Sequence, residues 1–202
     1  NVYKARDPLL GAEGEGGSPW TRLGDMLIEN NRADHVLIVS IAVGSTTVAQ
    51  WAKGGKYHRK IIQTLDQLEE QRIYVDYFLW HQGESDNLQN TPTQNYVHSF
   101  ETILETIRSR GIQSPILVAR ASYHANANAL QNKEKGIDPA IRKAQQQIIR
   151  NHPEVFPGPD TDLLTKAYHR YDGAHFSAPG LQEHAALWLK AIHDVKQSKS
   201  IP

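Results

Sequence analysis

The chain has 202 residues, room for one domain with an ordinary buried core. Its 22 basic and 22 acidic side chains cancel, and no basic block interleaves with aromatics, so a nucleic-acid partner is not expected. Cysteine is absent, which removes disulfides, thiolate catalysis and cysteine-ligated zinc. No apolar run approaches the ~20 residues of a membrane span.

In chain order, Asn1 to Pro8 is polar and closed by a proline, unsuited to a buried strand. Gly11 to Gly17 is a loop rich in glycine and glutamate. His35 to Ala42 is a continuous, β-branched apolar run, as a strand buried on both faces requires. Tyr57 to Arg72 carries Ile61, Ile62, Leu65 and Leu68 at helical spacing. Val75 to Trp80 reads as a second strand. A helix follows from Pro92 to Arg110, with Thr91 as N-cap, Pro92 at its first position and Gly111 at its end. Pro115 to Ala121 is a third strand. His124 to Gly136 is long enough to be a functional lid or a mobile loop. Asp138-Pro139 opens a helix through Ile141, Ala144 and Ile148 that stops near His152-Pro153, and Gly180 to Val195 closes the chain as another. Strands alternating with helices indicate parallel βαβ units and a three-layer α/β sandwich, with no repeat or linker dividing residues 1–202.

Two short motifs carry chemistry. Trp80-His81-Gln82-Gly83-Glu84-Ser85-Asp86 ends the second strand in a burst of polar groups around one glycine. Polar side chains are costly inside a sheet, so such a burst marks a strand end where a site can form. Asp172-Gly173-Ala174-His175 places a carboxylate three residues before an imidazole. Ester cleavage by a serine needs an imidazole to take the hydroxyl proton and return it to the leaving alcohol, and a carboxylate to fix the ring tautomer. His175 and Asp172 suit those roles, although Asp-x-x-His alone equally describes a capping aspartate beside a surface histidine. Metal chemistry lacks support: there is no His-Glu-x-x-His run and no clustered third ligand. Asp160 and Asp162, two apart on an extended segment, are expected on opposite faces and so do not form a glycosidase pair. No glycine-rich phosphate or dinucleotide motif is present, and no cofactor is expected.

The block Trp80-x-Gln82-Gly83-Glu84-Ser85-Asp86 and the pair Asp172-x-x-His175 resemble two signature blocks of the SGNH hydrolases. More narrowly, they resemble the carbohydrate esterases that include sialate O-acetylesterases and acetylxylan esterases. Ile41 to Trp51 is similar to that group's Gly-Gly-(Thr/Ser)-Ser-Ile-x-x-Trp stretch, with Val43 where the first glycine is usual. The resemblance implies a flavodoxin-like parallel sheet and a serine esterase that removes O-acetyl groups from a sugar. Its partner is then an acetylated sugar or polysaccharide, and the resemblance favours a periplasmic or secreted setting, while the absence of cysteine suits a cytoplasmic one equally. It assigns His175 as base, Asp172 as its orienting acid, and Gln82 with the Gly44 backbone N–H as oxyanion donors. Glu84 would support them by hydrogen bonding, while His81 and Trp51 would line an acyl or sugar pocket, or pack. Arg142 and Gln145 match an Arg-x-x-Gln feature read as scaffold. The nucleophile is not identified. The family's serine sits in a Gly-Gln-Ser-Asn-like block on an interior first strand, which Asn1 to Pro8 cannot supply, and Ser18, Ser40, Ser45, Ser85 and Ser177 fall outside such a block. The expectation is a serine upstream of Asn1, with an N-terminal segment or a second chain completing the sheet. The alternative is a non-catalytic carbohydrate-binding or interaction protein on the same fold.

Overall fold

The computed structural model describes residues 3–14, 16–127 and 136–199. Most of the His124–Gly136 loop therefore lies outside the described residues. The chain divides into two compact units, residues 45–162 and a second made of 1–44 with 163–202.

The 45–162 unit is built around a three-stranded parallel sheet in the order β1 (Phe78–Trp80), β2 (Ile116–Arg120), β3 (Val155–Asp160). Phe78 pairs with Ile116, and Ile116 with Val155. The helices that frame the sheet include α2 (Val48–Trp51), α3 (His58–Glu70), α4 (Glu84–Leu88), α5 (Thr93–Ser109) and α6 (Pro139–Asn151). Ile116, Leu117, Val118 and Ala119 are fully buried, so the central strand is covered on both faces, as its unbroken apolar run predicts. Tyr96, Phe100, Ile103 and Ile107 recur every three or four residues along α5 and present one buried stripe. Ile141, Ala144 and Ile148 do the same on α6, which packs on β2, β3 and α5. Each such isoleucine or phenylalanine contributes about 1.5–3 kcal/mol by leaving water.

Helix starts follow local chemistry. Asp138 caps α6 by accepting from Ala140 N at 2.7 Å and Ile141 N at 3.4 Å, with Pro139 in the first turn. In α5 the cap position belongs to Pro92 rather than Thr91, and no side chain caps it. β3 was not expected, because Pro157, Gly158 and Pro159 are poor strand formers. It is an edge strand, where a missing N–H can be tolerated. Gly158 is required there: a Cβ would lie 2.8 Å from Ala119 N and 2.9 Å from Val118 C.

The other unit packs α1 (Pro19–Glu29) against the final helix α7 (Ala178–Lys199). Ser18 caps α1 through its hydroxyl, and Pro19 opens the first turn. Trp20 and Trp188 meet at 5.4 Å between ring centroids, and the Trp188 indole N–H donates to His184 Nε2 at 3.0 Å. The strand predicted over residues 36–41 is not formed: that stretch has no regular secondary structure and pairs with neither β1 nor β2. Its side chains do alternate. Val36 and Ile38 lie over Gly24 of α1, while Leu37 and Val39 are 50% and 49% exposed. A strand is a property of a pair, and residues 36–41 have no ladder partner among the described residues.

Candidate active site

At the end of β1 the chain is held by contacts from three directions. The buried Tyr96 hydroxyl donates to Gln82 O at 2.9 Å and receives the Trp80 indole N–H at 3.3 Å. Burial pushes that phenol well above its ordinary range. Gln145 donates to both Gln82 O (3.1 Å) and Ala121 O (3.0 Å) and accepts from Ala121 N (3.2 Å), binding the ends of β1 and β2 together. Gly83 sits so close to β2 that a Cβ would fall 1.8 Å from Ala121 O. Only glycine fits this turn.

These anchors place the Gln82 side chain over the glycine block. Its Nε2 donates to Thr46 O at 3.0 Å and to Asp86 Oδ2 at 2.5 Å, while Oε1 is buried without a partner. Both amide hydrogens are thus spent within the chain. A role as oxyanion donor requires one of them to exchange its bond, and the Thr46 carbonyl is the neutral acceptor of the two. Asp86 also accepts from Val48 N at 2.8 Å, at the start of α2. Burial raises the Asp86 carboxyl above the usual range, against the lowering effect of its bonds to Gln82 and Val48. Asp86 thereby bridges the strand end and the glycine block.

The remaining residues proposed for this region are mostly tied down. Trp51 is buried, its indole donating to Thr46 Oγ1 at 2.9 Å and its ring 5.3 Å from Tyr57, which suits packing. His81 Nε2 lies 3.0 Å from Thr161 Oγ1, and Thr161 donates its own hydrogen to Arg120 O at 3.1 Å. His81 therefore donates from Nε2, and its Nδ1 lies 3.8 Å from Glu84 Oε1. Glu84 begins α4 and is partly exposed.

A second buried network, unseen in the sequence, sets the chain after β2. Asp162 accepts from Ser122 N (2.7 Å), Tyr123 N (2.8 Å), Ser122 Oγ (2.7 Å) and Arg142 Nη1 (2.8 Å). Arg142 also grips Asp160 with both nitrogens, at 2.8 and 2.7 Å. Its guanidinium is held above its ordinary range, chiefly by hydrogen bonding to Asp160, against burial. The expectation that Asp160 and Asp162 face opposite ways fails because β3 ends at Asp160 and Thr161–Leu163 turns as a 3-10 helix. Asn87 closes the arrangement, donating to Ser122 O at 2.6 Å and Gly136 O at 2.8 Å.

In the other unit, Asp172 and His175 form the tip of a small hairpin. Arg170 and Phe176 bridge antiparallel, and Tyr171 N donates to His175 O at 3.1 Å. The buried Arg170 guanidinium lies 4.0 Å from the Phe176 ring, donates to Leu164 O at 2.7 Å and also bonds Ala174 O. Asp172 Oδ1 accepts from Ala174 N (2.9 Å) and His175 N (2.7 Å), and Oδ2 is 2.6 Å from His175 Nδ1. The bond to the His175 ring, followed by those two backbone donors, holds Asp172 far below the usual carboxylate range. An ionised Asp172 keeps the hydrogen on Nδ1, so Nε2 carries the lone pair. The imidazole is 73% exposed on the side chain, and Tyr171 lies beside it, ring centroids 5.9 Å apart at 18°. Gly44 is exposed, with open space where a Cβ would stand, and Ser45 after it takes a left-handed φ of 58°.

No helix among the described residues is long and apolar enough to cross a membrane. No group of three or more metal-binding side chains occurs among them either. Solved structures similar in fold include the following two. One, described as a GDSL-like lipase from Parabacteroides merdae ATCC 43184, has a TM-score of 0.65 at 17% identity, over 89% of this chain and 83% of that one. The other is a carbohydrate esterase family 3 protein from Talaromyces cellulolyticus, with a TM-score of 0.54 at 13% identity, over 78% and 71% of the two chains. No curated protein matches the chain significantly. The profile of the family described as "carbohydrate esterase, sialic acid-specific acetylesterase" matches residues 2–193. The chain belongs to that carbohydrate esterase family, on an α/β fold of the SGNH hydrolase type.

Proposed function

We propose that the protein removes O-acetyl groups from a sugar by a serine-esterase mechanism in which His175 is the general base. The observation that carries this reading is the Asp172–His175 pair. Three hydrogen bonds fix the carboxylate and imidazole, and the one ring nitrogen left as acceptor is the one the chemistry needs. In the first step Nε2 takes the proton of a serine hydroxyl as its oxygen bonds to the acetyl carbon. The carbonyl electrons move to oxygen, giving a tetrahedral oxyanion. Collapse breaks the bond to the sugar oxygen, which leaves with the proton from His175. Water, activated by the same imidazole, then frees acetate from the serine. Gln82 and the Gly44 N–H are the proposed donors to the oxyanion. None of the chain's own serines is assigned as nucleophile. The family description and the exposed dyad support sialate O-acetyl esters as the first substrates to test.

One observation favours a second reading, a carbohydrate-binding protein without turnover: both Gln82 amide hydrogens already have acceptors. The natural full-length protein separates the two. Acetate release from an O-acetylated sialic acid, lost in His175→Ala, supports the esterase. Sugar binding with no acetate release, unchanged in His175→Ala, supports the binder and defeats the mechanism.

A further inference from the structure

We infer that Tyr171 is the residue on which the sugar ring of the substrate stacks, so that it sets the preference for glycosyl over simple acetate esters. This rests on the esterase reading of Asp172 and His175. Tyr171 is 70% exposed, an unusual placement for a large aromatic held in fixed geometry. Exposed tyrosines are commonly explained by a local partner, and Tyr168 shows such an explanation. It is 49% exposed, but its hydroxyl donates to Glu183 Oε1 at 3.2 Å and its ring lies 4.0 Å from that of His169. The Tyr171 hydroxyl makes no bond among the described residues; its side-chain contact is the near-parallel offset stack on the His175 imidazole. Its backbone is nevertheless fixed on both sides, by the Arg170–Phe176 bridge and by its own N–H bond to His175 O. The buried Arg170 beneath holds the hairpin from inside through Leu164 O and Ala174 O.

The hairpin therefore presents two near-parallel rings at its tip, centroids 5.9 Å apart, one the base and the other apolar with a polar end. An aromatic face is a general surface for the C–H face of a pyranose, and its phenol offers a hydrogen bond to a ring hydroxyl. The proton-accepting nitrogen belongs to the neighbouring ring, so a sugar lying on Tyr171 carries its ester oxygen beside His175. A small alkyl acetate reaches the same nitrogen without covering the tyrosine. Tyr171 thus discriminates by what surrounds the ester rather than by acting on it.

The test compares wild type, Tyr171→Phe and Tyr171→Ala in the full-length protein, with circular dichroism confirming the fold. Acetate release is followed from an O-acetylated sialic acid, from an acetylated xylo-oligosaccharide and from ethyl acetate, which has no ring to stack. The expected result is a loss of about tenfold in kcat/KM on at least one sugar ester for Tyr171→Ala, carried mainly by KM. Ethyl acetate should stay within about twofold, and Tyr171→Phe should restore most of the loss. An equal fall on all three substrates would make Tyr171 a mere support for His175 and overturn the inference, as would no fall on any. Should wild type release no acetate at all, the esterase reading fails by itself. Calorimetric binding of the de-acetylated sugars to wild type and Tyr171→Ala then decides the tyrosine's role: weaker binding by the variant upholds stacking, and equal or absent binding refutes it.

Discussion

Replacing Asp162 with alanine removes the acceptor of four hydrogen bonds at one stroke. The carboxylate is almost wholly buried, so water does not simply take its place. Losing one partner of a buried ion pair costs about 3–5 kcal/mol, and each stranded buried N–H about 1–3 kcal/mol. Two effects reduce the sum. Arg142 keeps its two bonds to Asp160, and Tyr123 N is only partly buried. The net loss should be about 4 kcal/mol, which lowers Tm by ~8–16 °C in a chain of this size. Asp162→Asn separates charge from shape. Its Oδ1 still accepts from Ser122 N and Tyr123 N, but its Nδ2 faces the Arg142 donor, so about half the penalty remains. Urea unfolding followed by tryptophan fluorescence and circular dichroism, compared at a common m-value, reads both. A loss below ~1 kcal/mol for alanine, or an asparagine as damaging as the alanine, would show that this network does not hold the end of β2.

Further substitutions probe the site itself. His175→Ala should abolish acetate release in the full-length protein, measured by continuous acetate assay, because its Nε2 is the proposed proton acceptor. Gln82→Ala should lower kcat by about 10²–10³ with little change in KM, the usual cost of one oxyanion donor; turnover within twofold or threefold of wild type would remove Gln82 from the mechanism. Gly83→Ala should fold poorly, losing at least ~3 kcal/mol, since its methyl would overlap the Ala121 carbonyl and neither backbone can yield without opening the sheet; thermal unfolding checks this. Asp86 gives a pH signature. Its folded pKa is raised, so between the ordinary carboxylate value and that raised value the native state binds the extra proton, and stability falls as pH rises. Asp86→Asn should flatten that slope just above the ordinary carboxylate range. Parallel stability–pH curves for the two proteins would show that the burial of this carboxylate has no energetic weight.

The helices were legible where the side chains themselves hold the information. Asp138-Pro139 announces a helix start because a short carboxylate accepts the first free N–H groups, and it does so. Ser18-Pro19 offers the same signal, beside a glycine-rich stretch, and opens α1. The strands were harder. Residues 36–41 have the composition of a buried strand, but composition cannot supply a ladder partner. Val155 to Asp160 has the wrong composition and is a strand, because Gly158 can approach Val118 and Ala119 as no larger residue can. At the site, the polar burst after Trp80 was correctly placed at a strand end. The Asp162–Ser122 and Asp86–Val48 bonds join residues 40 and 38 apart in sequence. Neither spacing carries a pattern that a local reading could detect.

That contrast bears on what the strongest motif does. In Trp80 to Asp86, the main chain of Gln82 is bound by Tyr96 and Gln145, Gly83 is pressed against Ala121, and Asp86 reaches the first N–H of α2. Each of these contacts would be needed by a protein that merely had to join β1, β2 and the glycine block. The Gln82 side chain is the exception, since its Oε1 is buried without a partner and its donors satisfy groups that have other means of satisfaction. Val48 N and the carboxylate of Asp86 remain bonded to each other if Gln82 is truncated, and a carbonyl such as that of Thr46 has two lone pairs and less to lose than an N–H. Truncating the side chain should therefore spare the scaffold while removing whatever chemistry it performs. A catalytic effect from Gln82→Ala with an unchanged unfolding midpoint would assign the scaffold to the backbone of this motif and the reaction to the Gln82 side chain.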